Sequence, residues 1–280
     1  MSWSSKPVNE VVHIEEFFSF FEQDCPKEYD FKGENHNFWE CLCVLDGELC
    51  VSADAHVYRL SKGMMIFHKP LEFHKFYVES NGAKIFVCSF NMTGELCDYF
   101  KNKVFVLNDE QTGIMNSMLG YAHRKMSYLD IPRGGKFSYN YFYPFSFIKT
   151  YPQMLVSFIY QLLLSLADNG EVTKSYHTAE SDVFRKAVRY MNANIASQIS
   201  VDHIADECNV SIATLKRIFA RYAGIGIHKY FLQMKIKRAT ELMQDGFGVS
   251  ETAEKLGFSS QAYFSAAYKR ETGISPSLVD

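Results

Sequence analysis

One pattern occurs twice near the end of the chain, with its key positions about 48 residues apart, and few folds can accommodate it. The first copy reads SVDHIADECNVSIATLKRIFARYAG, from Ser200 to Gly224; the second reads VSETAEKLGFSSQAYFSAAYKRETG, from Val249 to Gly273. A helix-turn-helix needs a small residue where its helices cross and a residue tolerating positive φ at the bend. Ala205 and Asn209 occupy these positions in the first copy, Ala253 and Gly257 in the second. Leu215 and Phe219, like Phe264 and Tyr268, then fall at the i, i+4 spacing of a buried helix face. Between the copies, Gly226 to Met243 carries Ile227, Phe231, Met234, Ala239 and Leu242 at near-helical spacing, predicting one connecting helix. Such a helix is roughly 27 Å long at about 1.5 Å per residue. Recognition helices entering successive major grooves lie ~34 Å apart, a gap that the connector plus the width of each motif can span. The pattern points to a DNA-reading module rather than a ligand-free helical bundle.

Charge distribution supports this reading. From Cys208 to Thr240 no Asp or Glu occurs, whereas Lys216, Arg217, Arg221, Lys229, Lys235, Lys237 and Arg238 are basic. A charge run is usually a solvated face, but this one covers the first recognition helix and the connector, where phosphate contacts would be needed. Residues 178–280 hold 13 basic and 11 acidic side chains, and residues 1–177 carry a net −5. The local distribution, not the overall −3, bears on a nucleic-acid partner.

Residues 178–280 resemble the DNA-binding domain of the AraC/XylS family of bacterial transcription regulators. The resemblance rests on Ser211, Leu215, Arg217, Phe219 and Gly224, on Tyr230, Lys237 or Arg238 and Ala239, and on Ala253, Gly257, Phe258, Tyr263, Phe264, Lys269, Gly273, Ser275 and Pro276. It implies base contacts from Ala213, Lys216 and Arg217 in the first motif and Gln261, Ala262 and Ser265 in the second, with Arg221, Ser260 and Lys269 beside them. Lys216 and Arg217 would donate to guanine O6 and N7, and Gln261 would pair with adenine. The chain departs from the family at Thr252, at Ala266 where an Arg is usual, at Gly226-Ile227 where Ser-Pro often opens the connector, and at Val279-Asp280. The first motif is therefore expected to supply most of the specificity.

The 280 residues exceed what such a module needs and leave enough chain for a second core. Residues 1–177 hold 18 Phe, 12 Tyr and 2 Trp. Residues 35–107 alternate in strand fashion between turn signals at Asp46-Gly47, Lys62-Gly63 and Asn81-Gly82. Helical periodicity follows over Asp109 to Arg124 and Pro152 to Asp168. The expected fold class is a multidomain α+β chain: a cupin-like antiparallel barrel with helices, then an all-α double helix-turn-helix. The expected division is an effector-binding and dimerisation domain at 1–167, a polar linker at 168–177, and the DNA-binding domain at 178–280.

His36, Glu40 and Gly47 follow a spacing resembling the first cupin motif, and Gly63, Pro70 and His74 resemble the second. Glu34 stands where the first cupin His is usual. Donors of this kind suit Fe, Mn or Ni; barrels of the resembled regulator family generally carry no metal, so no metal and no cofactor are expected. Barrel mouths hold small ligands, and the candidate effector contacts are His36, Phe38, Glu40, His74 and Phe76, chosen from neighbouring pairs of which only one member can point inward. The aromatic segment 124–151, with a bend at Gly134-Gly135, reads as a lid or crossover.

Leu155, Phe158, Ile159, Leu162, Leu163 and Leu166 form an apolar helical stripe too short to span a bilayer. Such a stripe is more often core than interface, but in the resembled family this position carries a dimerisation surface. Seven cysteines without a C-x-x-C pair, and an N-terminus without an apolar signal core, point to a reduced, cytoplasmic protein. No Ser-His-Asp set, phosphate-binding loop or zinc spacing suggests an enzyme. The expected function is sequence-specific transcription regulation controlled by a small molecule. The expected partners are double-stranded DNA, the effector, a second copy of the chain and RNA polymerase, with no membrane. Two alternatives stand beside it: a ligand-independent dimeric regulator, and a metal cupin enzyme fused to a DNA-binding module.

Overall fold

The computed structural model describes residues 4–79, 81–128, 138–173 and 176–279. Strands β1 (His13–Cys25), β2 (Trp39–Ala53), β3 (His56–Ser61), β4 (Met64–His68), β5 (His74–Tyr77) and β6 (Ala83–Thr93) come first. They are followed by α1 (Cys97–Phe100), β7 (Val104–Val106), α2 (Asp109–Tyr128), β8 (Ser138–Asn140), α3 (Tyr151–Asn169) and β9 (Glu171–Thr173). All pairings are antiparallel; the main path runs β8-β1-β6-β2-β4-β7-β9, and β3 and β5 both pair with the distal half of β2. By serving both groups of strands, β2 folds the sheet into a barrel-like body.

Alternation along β2 explains why nearly all of it is buried. Leu42, Val44, Leu49 and Val51 point into the barrel with Leu60, Ile66, Phe76, Ile85 and Val87. Cys41 and Cys43 point the other way, into a layer formed with Phe67, Phe86, Cys88 and the inner faces of α2 and α3. The α3 stripe belongs to this layer: Leu155, Ile159, Leu162, Leu163 and Leu166 are buried against the sheet, while Met154 and Leu164 are exposed on the opposite face. Any partner surface on α3 therefore uses other residues than the stripe.

Two expectations need correction. Asp46-Gly47 is not a hairpin turn but lies inside β2, where the register with β6 shifts. Gly47 takes φ +75° there, and a Cβ would run into the Gly82 carbonyl, so the residue bends a continuous strand. The hairpin reversal falls instead at Asp54-Ala55, with Asp54 at φ +46°. The segment 168–177 is more than a linker: Asp168 and Asn169 finish α3, and Glu171–Thr173 pair with β7 as the sheet's last strand. Gly134-Gly135 lies outside the described residues.

The remaining helices are α4 (Ala179–Ala193), α5 (Val201–Glu207), α6 (Ile212–Tyr222), α7 (Ile227–Gln244), α8 (Val249–Lys255) and α9 (Gln261–Thr272). The bends between α5 and α6 and between α8 and α9 hold Asn209 at φ +55° and Gly257 at φ +64°. A Cβ at Gly257 would strike the Ala196 carbonyl. The connector α7 serves two cores: Ile227 and Tyr230 pack with Phe184, Leu215 and Phe219, whereas Ile236, Ala239 and Leu242 pack with Ala253, Phe264 and Tyr268. One continuous helix thus ties the two motifs into one body. Among the described residues no helix is long and apolar enough to cross a membrane.

The first motif is seated against the barrel. Cys50, Val57 and Phe73 join its core, and Phe73 meets Tyr230 edge-on at 5.6 Å. The Tyr230 hydroxyl donates to the Asp54 carbonyl at 3.1 Å, Lys237 Nζ donates to Asp54 Oδ2 at 2.7 Å, and Ser52 donates to the Tyr222 carbonyl.

Candidate nucleic-acid interface and barrel pocket

Helices α6 and α9 begin at serine caps. The Thr214 N–H donates to Ser211 Oγ at 3.1 Å, and the Tyr263 N–H donates to Ser260 Oγ at 3.1 Å. These bonds fix where each helix starts, and so which residues its first turns present. In α6, Leu215, Ile218, Phe219 and Tyr222 are buried while Ala213, Lys216, Arg217 and Arg221 are exposed. In α9, Phe264, Ala267 and Tyr268 are buried; Gln261, Ala262 and Lys269 are exposed with the cap Ser260, and Ser265 is half-buried. Ala266 is exposed as well, so its departure from the resembled pattern lies on the surface.

The acid-free cationic run does not act as one surface. Lys235 is buried between the motifs, and its Nζ donates to the carbonyls of Leu256 at 2.8 Å and Ser197 at 3.3 Å. Lys237 is held by Asp54 of the barrel. These two are structural cations, which corrects the reading of the whole run as phosphate-facing. Arg217 and Arg221 are exposed yet engaged: Arg217 Nη1 lies 2.5 Å from Glu180 Oε1, and Arg221 reaches Glu180 at 3.3 Å. Arg221 also donates to Tyr77 Oη at 3.0 Å and pairs with Glu79, both from the barrel.

Inside the barrel, a cavity of about 330 Å³ is walled by Phe18, Phe21, Tyr29, Phe31, Phe38 and Phe76, with Gln23, Glu34, His36, Glu40 and Ser89 among its polar groups. Of the five expected effector contacts, His36, Phe38, Glu40 and Phe76 line it. His74 is buried next to it, its Nε2 3.3 Å from Glu40 Oε1. Alternation sorts the neighbouring pairs: Phe38 and Phe76 face the cavity, Trp39 enters the helix-facing layer, and Tyr77 turns toward Arg221. The contributions of Phe18, Phe21, Tyr29 and Phe31 were not legible. They come from β1, whose alternation is broken by register shifts between Ile14 and Ser19, and from the irregular segment after it. The paired phenylalanines of β1 were the available signal. A second, larger cleft of about 530 Å³ opens between Asn35, His36 and Leu71 on the barrel and Gln233, Lys237 and Tyr268 on α7 and α9.

The polar wall of the barrel cavity is strongly biased. Burial of Glu40 opposes its ionisation, but the flanking His36 and His74 rings outweigh this and hold its carboxyl well below the usual range. Ser89 Oγ donates to Glu40 Oε2, the oxygen nearer His36, at 2.9 Å. Burial opposes protonation of His74, yet the carboxylates of Glu34 and Glu40 outweigh it and push the ring up to about 10. Deeper in, burial lowers His68, which stacks on His74 at 4.1 Å and bonds Glu72 at 2.8 Å.

A helix-turn-helix domain family model matches residues 204–279. The chain is 29% identical over 130 residues to the Msm operon regulatory protein of Streptococcus mutans, covering 44% of this chain and 46% of that protein. It therefore spans less than half the length of this relative. It is 20% identical over 252 residues to the HTH-type transcriptional activator RhaR of Escherichia coli, covering 88% of this chain and 86% of that one. A solved transcriptional regulator of Chromobacterium violaceum, described as containing an AraC-type DNA-binding domain, is 32% identical over 36% of this chain and 91% of that chain, with a TM-score of 0.34. Residues 204–279 thus form a helix-turn-helix domain, and the sequence matches that reach this region are to transcription regulators.

Proposed function

We propose that this chain regulates transcription by binding specific DNA through α6 and α9, under the control of a small molecule held in the N-terminal barrel. The observation that carries the reading is the pair of serine-capped helices whose exposed faces carry Lys216 and Arg217 in α6 and Gln261 and Lys269 in α9, joined by the single helix α7. Lys216 and Arg217 are the guanine readers, Gln261 the adenine reader, and Ala213, Ala262 and Ser265 the apolar and small contacts beside them. Ser260, Arg221 and Lys269 serve the phosphates. The barrel cavity, aromatic-walled with a few buried polar groups, has the composition of a small-molecule site.

The barrel with its helices, through Thr173, then forms the effector and dimerisation part, and residues 178–280 the DNA-binding part. The exposed Met154 and Leu164 on α3 support a homodimer, and RNA polymerase is the further partner such a regulator acts upon. The seven cysteines are free thiols, which supports action in the reducing cytoplasm beside the DNA. Mapping bound sites across the genome tests the DNA reading: enrichment of one shared sequence supports it, and uniform occupancy opposes it. Thermal shift against a small-molecule panel tests the sensor. A ligand that raises the melting temperature and changes DNA affinity supports control by an effector. Ligands that never couple to DNA binding favour the ligand-independent dimer instead.

A further inference from the structure

We propose that the barrel cavity takes a small organic ammonium ion, a protonated primary amine whose N–H groups meet Glu34, His36 and Glu40 while its carbon skeleton lies among the aromatic walls. The ammonium class rests on the reading of this cavity as the effector site. Charge selects the class. Among the described residues, Glu34, His36 and Glu40 are the ionic groups that line the cavity, and no Lys or Arg lines it. Against the opposing effect of burial, the carboxylates of Glu34 and Glu40 hold the adjoining His74 protonated. Its single positive charge cannot balance both acids. The wall therefore keeps an excess negative charge, which repels an anionic ligand and which a cation neutralises.

Three acceptors converge there with no donor between them. His36 Nδ1 lies 3.0 Å from the Phe38 carbonyl, which only accepts. Nδ1 thus carries the hydrogen, and in the neutral ring Nε2 is an acceptor. This Nε2 is buried, lies 3.6 Å from Glu40 Oε2 and completes no hydrogen bond. One such atom each from Glu34, His36 and Glu40, together with one from His74, lies within 4.8 Å of all the others. Acceptors placed about 2.9 Å from one tetrahedral nitrogen are ~4.7 Å apart, so one primary ammonium can reach all three. An alcohol offers a single O–H, and a quaternary ammonium offers no N–H at all.

The surroundings fix these acceptors in place. Phe38 is stacked between Phe18 at 4.1 Å and the His36 ring at 3.8 Å, which holds the imidazole plane. Glu34 and His74 exchange two backbone hydrogen bonds, of 2.9 Å and 3.0 Å. Gly33 enters this pairing at φ +84°, where a Cβ would press on the Phe73 ring, so the chain is drawn close to β5. Phe31 stacks on Phe76 at 5.1 Å, and both rings wall the cavity. Aromatic rings cover the carbon skeleton of an organic cation and also attract its charge.

The test uses the full chain in phosphate buffer, free of amine buffers and with EDTA present so that no metal mediates binding. n-Butylamine, n-hexylamine, benzylamine and phenethylamine are titrated by calorimetry near neutral pH, beside the matched alcohols, carboxylates and trimethylammonium compounds. The expected result is one-site binding of at least one primary amine, with its alcohol and trimethylammonium counterparts at least about tenfold weaker and its carboxylate not bound. Tenfold is the smallest loss expected for a hydrogen bond to a charged group, about 1.5–3 kcal/mol. Glu34→Gln should weaken the same amine by at least that factor. The Glu34 side chain is 49% exposed, and near-UV circular dichroism checks that the variant keeps the fold. Absence of binding by all four amines, a counterpart that binds as tightly, or unchanged amine affinity in Glu34→Gln would overturn the proposal. A neutral or anionic ligand that binds and shifts DNA affinity would overturn the ammonium class while leaving the barrel as the sensor, so the two failures are distinguishable.

Discussion

At the scale of single residues, chemistry and placement separate side chains that share a charge. Lys235 and Lys216 are both lysines of an acid-free run, but one donates to two buried carbonyls while the other stands on the exposed face of α6. Arg217 is exposed and held by Glu180, an exchange that DNA can reverse because an ion pair between exposed groups contributes only about 0–1 kcal/mol. If Arg217 reads a guanine bidentately, Arg217→Ala should weaken binding to the specific site by about 1–3 kcal/mol. Fluorescence anisotropy on specific and scrambled duplexes checks this. Equal loss on both would make Arg217 a phosphate contact, and no loss on either would remove it from the interface.

At the scale of elements, the second recognition helix offers a gain-of-function test. Ala266 is exposed on α9, and the core side of that helix is already filled by Phe264, Ala267 and Tyr268. Ala266→Arg should tighten DNA binding without unfolding the domain, and each added phosphate contact should steepen log K against log salt by about 0.9. An unchanged affinity and slope would mean that α9 does not dock on DNA there. The same elements show what could be read from sequence. The double motif was legible because its bends need positive φ, supplied by Asn209 and Gly257, and because its apolar spacing follows a strict helical period. Helix α3 was legible for the second reason, its predicted 152–168 lying within Tyr151–Asn169. The strand pattern was less so. A glycine after an aspartate signals a reversal locally, and only pairing with β6 shows that Gly47 instead bends a long strand. β1 was not recognised, since its bulges break the alternation on which recognition depends. The cavity depends on which distant segments meet, and local periodicity carries no record of that.

At the scale of the whole molecule, the barrel and the first motif meet through polar contacts that include Arg221, which we propose as a phosphate contact. Arg221 is shared among Glu180 of α4 and Tyr77 and Glu79 of the barrel, while Lys237 and Tyr230 of α7 fasten to Asp54. This shared arginine gives a route by which the state of the barrel can bias the motif. Glu79→Gln should loosen the hold of the barrel on Arg221, leaving its contacts to Glu180 and Tyr77, and raise DNA affinity by up to about fivefold, the equivalent of about 1 kcal/mol for an exposed pair. A lowered affinity would instead make the contact part of the binding-competent arrangement. The central claim, that two motifs on one rigid helix read one DNA face, is tested most directly by hydroxyl-radical footprinting of the full chain on its highest-affinity genomic site. Each chain should protect two segments centred about 10 base pairs apart on the same face, with Arg217→Ala weakening one and Gln261→Ala the other. A single protected segment per chain, unaffected by Gln261→Ala, would contradict it.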